Sequence, residues 1–492
     1  MKKQFSTASK IAIVVVALFA ANAQAAGVAK NVIFFLGDGM GPTVVTASRI
    51  YQYGERGSLK FETLMERTAR IKTYSNDAQT TDSAPSMGAY MTGVKANNEV
   101  ISMSTNTLAS GTNKPSADTT VTPNVANAVN NCAVGNGSSV PTILELAKAS
   151  GKAVGAVTTT ELTHATPAAT YAHICNRNAA FHIAAQLVPN GVGYNTALTK
   201  GTDLGVDVLM GGGLNHFTPY NATTNTKGRV DLRDLTVEMA SPVNGGYTFA
   251  STKAAMAAAP NTTTKFLGLY SPTSHLEYEL DRAAQTTAGV GAGLTQPTLS
   301  EMTVKSIKML SNNPNGFFLM VEGGRIDHAL HNTNAKRALV DTIAFDEAIA
   351  AAIAELKLTD PTLANTLIVV TADHDHTMTF NGYGKIGNPI LDINRSYSAG
   401  NPESTDKNGV NYTTLVFGNG PNRLNVARTP LTTATVTADN YLQEAGVRTA
   451  AGSETHGGGD VMLFATGAGA QNFKGTMENT QVFSILKSAL GI

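Results

Sequence analysis

Val32-Ile33-Phe34-Phe35-Leu36, followed at once by Gly37-Asp38-Gly39-Met40-Gly41, is the stretch that decides how this chain folds. Five apolar residues, β-branched and aromatic among them, read as a buried strand. The glycines after them mark a turn in which backbone can approach closely. Four more runs carry the strand signature: Val154–Thr160, Phe317–Val321, Leu367–Thr371 and Val461–Thr466. Helical patterns lie between them, over Thr142–Ala149, Leu299–Leu310 and Asn334–Leu356. Strands alternating with helices predict an α/β fold, a three-layer sandwich around a large, mostly parallel sheet.

Two stretches interrupt the alternation. Ser102–Val140 is rich in Ser, Thr, Asn and Gly and reads as a surface excursion without a packed core of its own. Residues 377–454 are turn-rich and too long for a plain loop, so they read as a small inserted subdomain. The main unit is then expected over residues 26–376 and 455–492. At the N-terminus, Lys2, Lys3 and Lys10 flank the apolar run Ile11–Ala21, and Ala23-Gln24-Ala25 follows. That pattern predicts a cleaved secretory signal over residues 1–25 in preference to a retained anchor, because spanning a bilayer takes about 20 apolar residues. The expected location is periplasmic or extracellular, without stable membrane insertion. In an exported chain the two cysteines, Cys132 and Cys175, are expected to form one disulfide. The 36 basic and 36 acidic residues give a net charge of zero, so no global field steers the protein to nucleic acid.

In open α/β sheets, ligands bind beyond the carboxyl ends of the strands. Asp38 follows the first strand, and by itself is as well explained as a turn-making aspartate. Glu322 follows the strand Phe317–Val321, with Asp327 and His331 beyond it. Asp and His four residues apart share a helix face and suit zinc, although a surface ion pair has the same spacing. Asp373-His374-Asp375-His376 follows Leu367–Thr371. Neighbouring side chains point apart, so these four cannot all hold one ion, and Asp375 and His376 are read as supporting or merely polar groups. His456 sits among glycines that leave room around an imidazole, and Thr166, His164 and Arg177 follow Val154–Thr160. Arginine suits a phosphate held in a bidentate fork. Thr80-Thr81-Asp82-Ser83-Ala84-Pro85-Ser86 opens a helix running through Met91, with Ser83 at its N-terminus. A helix N-terminus favours anions, yet an N-cap serine is a common structural role. The density of metal-type residues favours a serine activated by a metal over either role alone.

These residues resemble the alkaline phosphatase family through nearly all of the chain after the signal. The similarity is carried by Gly37-Asp38-Gly39, Thr81-Asp82-Ser83-Ala84, Thr92-Gly93-Val94-Lys95, Val321-Glu322-Gly323, Ala372-Asp373-His374 and Thr455-His456-Gly457. The resemblance implies two zinc ions and one magnesium ion. One zinc would be held by Asp327, His331 and His456, and the second by Asp38, Asp373 and His374 with Ser83. Magnesium would be held by Asp38, Thr166 and Glu322, and phosphate by Arg177. His164 and His328 stand where the familiar bacterial enzymes carry Asp and Lys, as in the vertebrate-type branch. That branch also implies a crown-like role for residues 377–454, a homodimer, and a disulfide near Cys132 and Cys175. Ser271 and Gln296 stand where its calcium site has acidic residues, so no such site is expected.

The implied reaction is hydrolysis of phosphate monoesters through a phosphoserine at Ser83, with net retention at phosphorus. Two other readings compete. A phosphodiesterase or sulfatase shares the metal cage, but Ser83-Ala84-Pro85-Ser86-Met87 lacks the sulfatase spacing. A non-enzymatic phosphate- or metal-binding protein would need the ligands but no helix-mounted serine.

Overall fold

Asn31–Gly37 (β1) lies inside a ten-stranded sheet with hydrogen-bonded neighbours on both sides, and its apolar run is buried accordingly. A computed structural model describes residues 28–109, 132–423, 426–450 and 452–492. The expected signal over residues 1–25 and much of the Ser102–Val140 excursion lie outside the described residues. In chain order the sheet continues with Arg67–Lys72 (β2), Ala153–Glu161 (β3), Val208–Gly212 (β4), Thr248–Ala250 (β5), Phe266–Leu269 (β6), Phe317–Gly323 (β7) and Thr366–Thr371 (β8). Four short strands then lie outside it: Asp375–His376 (β9), Met378–Phe380 (β10), Leu415–Gly420 (β11) and Ala445–Arg448 (β12). After His456–Gly457 (β13), the large sheet is completed by Val461–Gly467 (β14) and Thr476–Glu478 (β15).

Across the sheet the order is β15-β2-β14-β8-β1-β7-β3-β4-β6-β5. Every pairing is parallel except the two made by β14, which alone runs against the rest. The carboxyl ends of β1, β7, β8 and β3 therefore share one edge. The amino end of β14 reaches the same edge, which brings in the segment around His456.

Helices flank the sheet in two groups. Pro42–Tyr53 (α1), Leu299–Leu310 and the long Ala335–Lys357 pack together, and the latter two also cover β7. The other group comprises Ser83–Thr92 (α2), Ile143–Ala149 (α3), Ala165–Tyr171 (α4) and Asn479–Leu490. The α/β architecture with a large, mostly parallel central sheet is as expected from the sequence. Capping boxes start two of the expected helices, Thr142 with Glu145 and Thr298 with Glu301, each satisfying two end N–H groups reciprocally.

Within residues 377–454, β10, β11 and β12 form a separate three-stranded sheet. The start of the Ser102–Val140 excursion is docked, not free. Ser102 Oγ donates to the Ala169 carbonyl at 2.7 Å, and Met103 packs with Ala96 and Val100 in a small apolar cluster. The excursion returns through a disulfide between Cys132 and Cys175. Among the described residues, no helix is long and apolar enough to cross a membrane.

Candidate active site

The turn after β1 shows why its glycines are needed. Gly39 has φ +66°, and a Cβ there would overlap the His376 ring; a Cβ on Gly41 would overlap the Asp375 carboxylate. The bare backbone lets the end of β1 close onto the end of β8. There Gly39 N–H donates to Asp373 Oδ1 at 3.0 Å. Asp38, Asp373 and His374 thereby converge in a fully buried cluster. His374 Nε2 lies 3.3 Å from Asp38 Oδ1, 3.3 Å from Asp373 Oδ2 and 3.2 Å from Ser83 Oγ.

Ser83 is the first residue of α2, but it is not the cap. Asp82 caps the helix, with Oδ1 accepting the Ala84 N–H at 2.7 Å. The same Oδ1 accepts from Arg177 Nη1 at 2.9 Å, while Oδ2 accepts the Glu99 N–H. Arg177 also places Nη2 3.3 Å from His164 Nε2. One aspartate, to which the sequence by itself assigned no role, therefore frees the Ser83 hydroxyl from capping and aims the guanidinium.

A second cluster forms where Arg325–His331 (α5) meets the segment before β14. The N-terminus of α5 is capped from a neighbouring strand, by Thr159 Oγ1 accepting the Gly324 and Arg325 N–H groups. His331 Nδ1 donates to the Glu454 carbonyl at 2.6 Å, and His456 Nδ1 donates to the Thr81 carbonyl at 2.8 Å. A carbonyl can only accept, so each ring keeps a lone pair on Nε2. Those two Nε2 atoms face each other at 3.1 Å. Asp327 Oδ1 lies 3.3 Å from His331 Nε2 and 3.5 Å from His456 Nε2. Two facing lone pairs beside a carboxylate call for a cation between them.

A third group sits at the end of β7. Glu322 Oε2 accepts from the hydroxyls of Thr158 and Thr160, while Oε1 is buried without a hydrogen-bond partner. Asp38 Oδ1 and His164 Nδ1 are likewise buried without a hydrogen bond. Thr166 Oγ1 lies 3.3 Å from Asp38 Oδ2. Donor atoms of Asp38, His164 and Glu322 all lie within 4.8 Å of one another, so His164 stands directly beside this group.

The electrostatics agree with the geometry. Burial, then the charge of Asp327, pushes the Asp38 carboxyl up to about 7. Burial and the Asp38 charge push Asp373 up to about 7, and the same two causes hold Glu322 well above the carboxylate range. Crowded carboxylates with orphaned oxygens and imidazole lone pairs fit metal ions, which would relieve that repulsion.

Each residue anticipated from the sequence for the metals, the phosphate and the nucleophile lies in one of these clusters or beside them. His328 stands at the edge: its ring lies 5.2 Å from His164, and Arg325 Nη1 donates to its Nδ1 at 2.9 Å. Sequence reading missed His275, whose ring is 4.2 Å from that of His328, because its segment carries no motif. It also passed over Glu454, although that residue lies two positions before His456.

Comparison with known proteins accords with this arrangement. A family model described as alkaline phosphatase matches residues 29–492. The alkaline phosphatase of Gadus morhua is 35% identical over 475 residues, covering 92% of this chain and 90% of its own. The tissue-nonspecific alkaline phosphatase isozyme of Homo sapiens is 34% identical over 490 residues, covering 94% and 84%. Among solved structures, Thermus thermophilus alkaline phosphatase aligns with a TM-score of 0.64 at 24% identity, covering 94% of this chain and 92% of its own. The alkaline phosphatase from the Antarctic bacterium TAB5 aligns with a TM-score of 0.60 at 24% identity, covering 95% and 99%. The last two bear on the fold alone.

Proposed function

The chain belongs to the alkaline phosphatase family, and from that premise we propose that it hydrolyses phosphate monoesters through a covalent phosphoserine at Ser83. The observation that carries this reading is the Ser83 hydroxyl, 3.2 Å from His374 Nε2 and relieved of capping by Asp82. Asp327, His331 and His456 would hold one zinc ion. Asp38, Asp373 and His374, with Ser83, would hold a second. Asp38, Thr166 and Glu322 would hold magnesium, with His164 beside them. When bound, the ions supply Lewis acidity that lowers the pKa of the serine hydroxyl and stabilises charge on the leaving oxygen.

The chain's own groups supply the rest. Arg177, steadied by Asp82 and adjacent to His164, binds the nonbridging phosphate oxygens through its fork of N–H donors. Ser83 Oγ attacks phosphorus, the alcohol leaves, and hydrolysis of the Oγ–P bond restores the serine. The helix N-terminus beneath Ser83 favours the anion at each stage. His164, His275 and His328 are driven well below the usual histidine range, in each case first by burial and then by a neighbouring cation or imidazole. They therefore line this side of the site as neutral donors.

Two properties accompany the activity. The disulfide suits export into an oxidising compartment, where the expected signal would send the chain; cell fractionation reads this directly. The chain also assembles as a homodimer. Support comes from Tyr383 (83% exposed), Tyr397 and Ile386, large exposed apolar groups, with the Tyr397 N–H donating to the Tyr383 carbonyl, and sedimentation velocity reads the mass.

The test is Ser83→Ala, together with stripping and reconstitution of metal. Chelation should abolish monoester turnover, and zinc with magnesium should restore it. A phosphoserine should be trappable at low pH in the parent and absent from Ser83→Ala. Retained turnover in that variant would end the nucleophile assignment, and a preference for diesters would end the monoesterase reading.

A further inference from the structure

Four residues crowd the first zinc site, not three. Donor atoms of Asp327, His331, His376 and His456 all lie within 4.8 Å of one another. Both nitrogens of His376 are nevertheless engaged. Nε2 lies 2.8 Å from Asp327 Oδ1, and Nδ1 lies 2.6 Å from Glu454 Oε2. Glu454 is itself held at both ends. Its Oε1 accepts the Thr377 N–H at 2.7 Å and the Thr377 hydroxyl at 2.5 Å, and its side chain is wholly buried. Its backbone reaches α5, accepting from His331 Nδ1 at 2.6 Å and donating to the His331 carbonyl at 2.8 Å. Two residues further on, His456 pairs with His376 in the short β9–β13 ladder. One residue thus touches, directly or through one intermediary, every group of the site.

We propose that Glu454 is the positioning residue of this zinc site, using its carboxylate to hold His376 on Asp327 and out of the ligand set, and its carbonyl to orient His331. The proposal rests on the metal reading above. With His376 pinned, Asp327 Oδ1 is directed by a hydrogen bond, and His331 and His456 alone present free Nε2 lone pairs. Partners of this kind that orient ligands from behind affect metal affinity strongly. A glutamine at 454 cannot reproduce the arrangement. It replaces one carboxylate oxygen with an NH2 that only donates, so either His376 or Thr377 loses its acceptor.

The experiment measures zinc affinity of the full-length secreted protein by competition with a chromophoric chelator, for the parent, Glu454→Gln, Glu454→Ala and Thr377→Val. In Glu454→Gln and Glu454→Ala, one zinc equivalent should weaken by about 10–100-fold while the other keeps the parent's affinity. Thr377→Val, which loses only the hydroxyl contact, should show a smaller loss at the same equivalent. Excess zinc should restore turnover. Thermal unfolding of the metal-stripped proteins serves as the control for folding, and Thr377→Val keeps the proposal exposed should a Glu454 variant fail to fold. Visible bands of the cobalt(II)-loaded protein add a readout that reduced stability alone would not move: they should change in Glu454→Ala as His376 becomes free to ligate. Parent-like zinc affinity at both equivalents, or equal weakening of both, overturns the proposal while leaving the zinc centre intact. A parent that takes up no zinc overturns the metal reading and this proposal with it.

Discussion

Asp341 shows how far a side chain's environment can move its chemistry. It lies on the long helix Ala335–Lys357, buried, and among the described residues its oxygens accept a hydrogen bond only from the Glu279 N–H, at 3.3 and 3.4 Å. Burial pushes its pKa up to about 8, against a smaller opposing pull from Arg325. Between the ordinary carboxylate range and about pH 8, the folded chain keeps a proton that the unfolded chain releases. Its contribution to stability therefore falls as pH rises through that window. Asp341→Asn, which stays neutral and can still accept from Glu279, should remove this dependence. Denaturant unfolding should show the variant gaining on the parent from about pH 5 to about pH 8; a gap that stays constant, or narrows, would count against the buried-acid account. Ser83 makes the converse point. Its residue type and position were legible in the sequence, but whether it caps the helix or faces the site was not. That depends on Asp82, whose side chain could equally have pointed to solvent.

At the scale of elements, α2 is the instructive case. Asp82 satisfies an end N–H of this helix and also steadies Arg177, so one substitution should have two separable consequences. Asp82→Ala should cost about 1 kcal/mol of stability through the lost cap. It should also raise KM for monoesters more than it lowers kcat, because Arg177 loses an anchor and Ser83 does not. Urea unfolding and steady-state kinetics check the two parts; an unchanged KM would remove Asp82 from the phosphate site. Strands buried on both faces were plain in the sequence because their apolar runs are continuous, as in β1, β7 and β8. β2 was not read, because Arg67-Thr68-Ala69-Arg70-Ile71-Lys72 buries only Ala69 and Ile71 and exposes the rest. β4 and β6 were missed for their shortness and their glycines, which weaken any periodic signal.

For the molecule as a whole, assembly is the property most open to test. Tyr383 and Tyr397 are joined through their backbones and are among the most exposed large apolar groups described. If this surface meets its copy, Tyr383→Asp with Tyr397→Asp should shift sedimentation from dimer to monomer while the folded chain survives, since neither ring supports the core. A parent that sediments as a monomer would dismiss the interface. The sequence by itself determined the α/β class, the strands of the sheet's centre and the residue types able to bind metal and phosphate. These are local properties, set by apolar runs, glycine turns and helical spacing. Only the tertiary structure decided which of those residues meet. His456 reaches Asp327 and His331 because β14 alone runs antiparallel, and His376 faces Asp327 because Gly39 has no side chain to keep it away. Contacts between segments far apart in the chain leave no periodicity to read, so the division of labour around Ser83 became visible only once the strands were laid side by side.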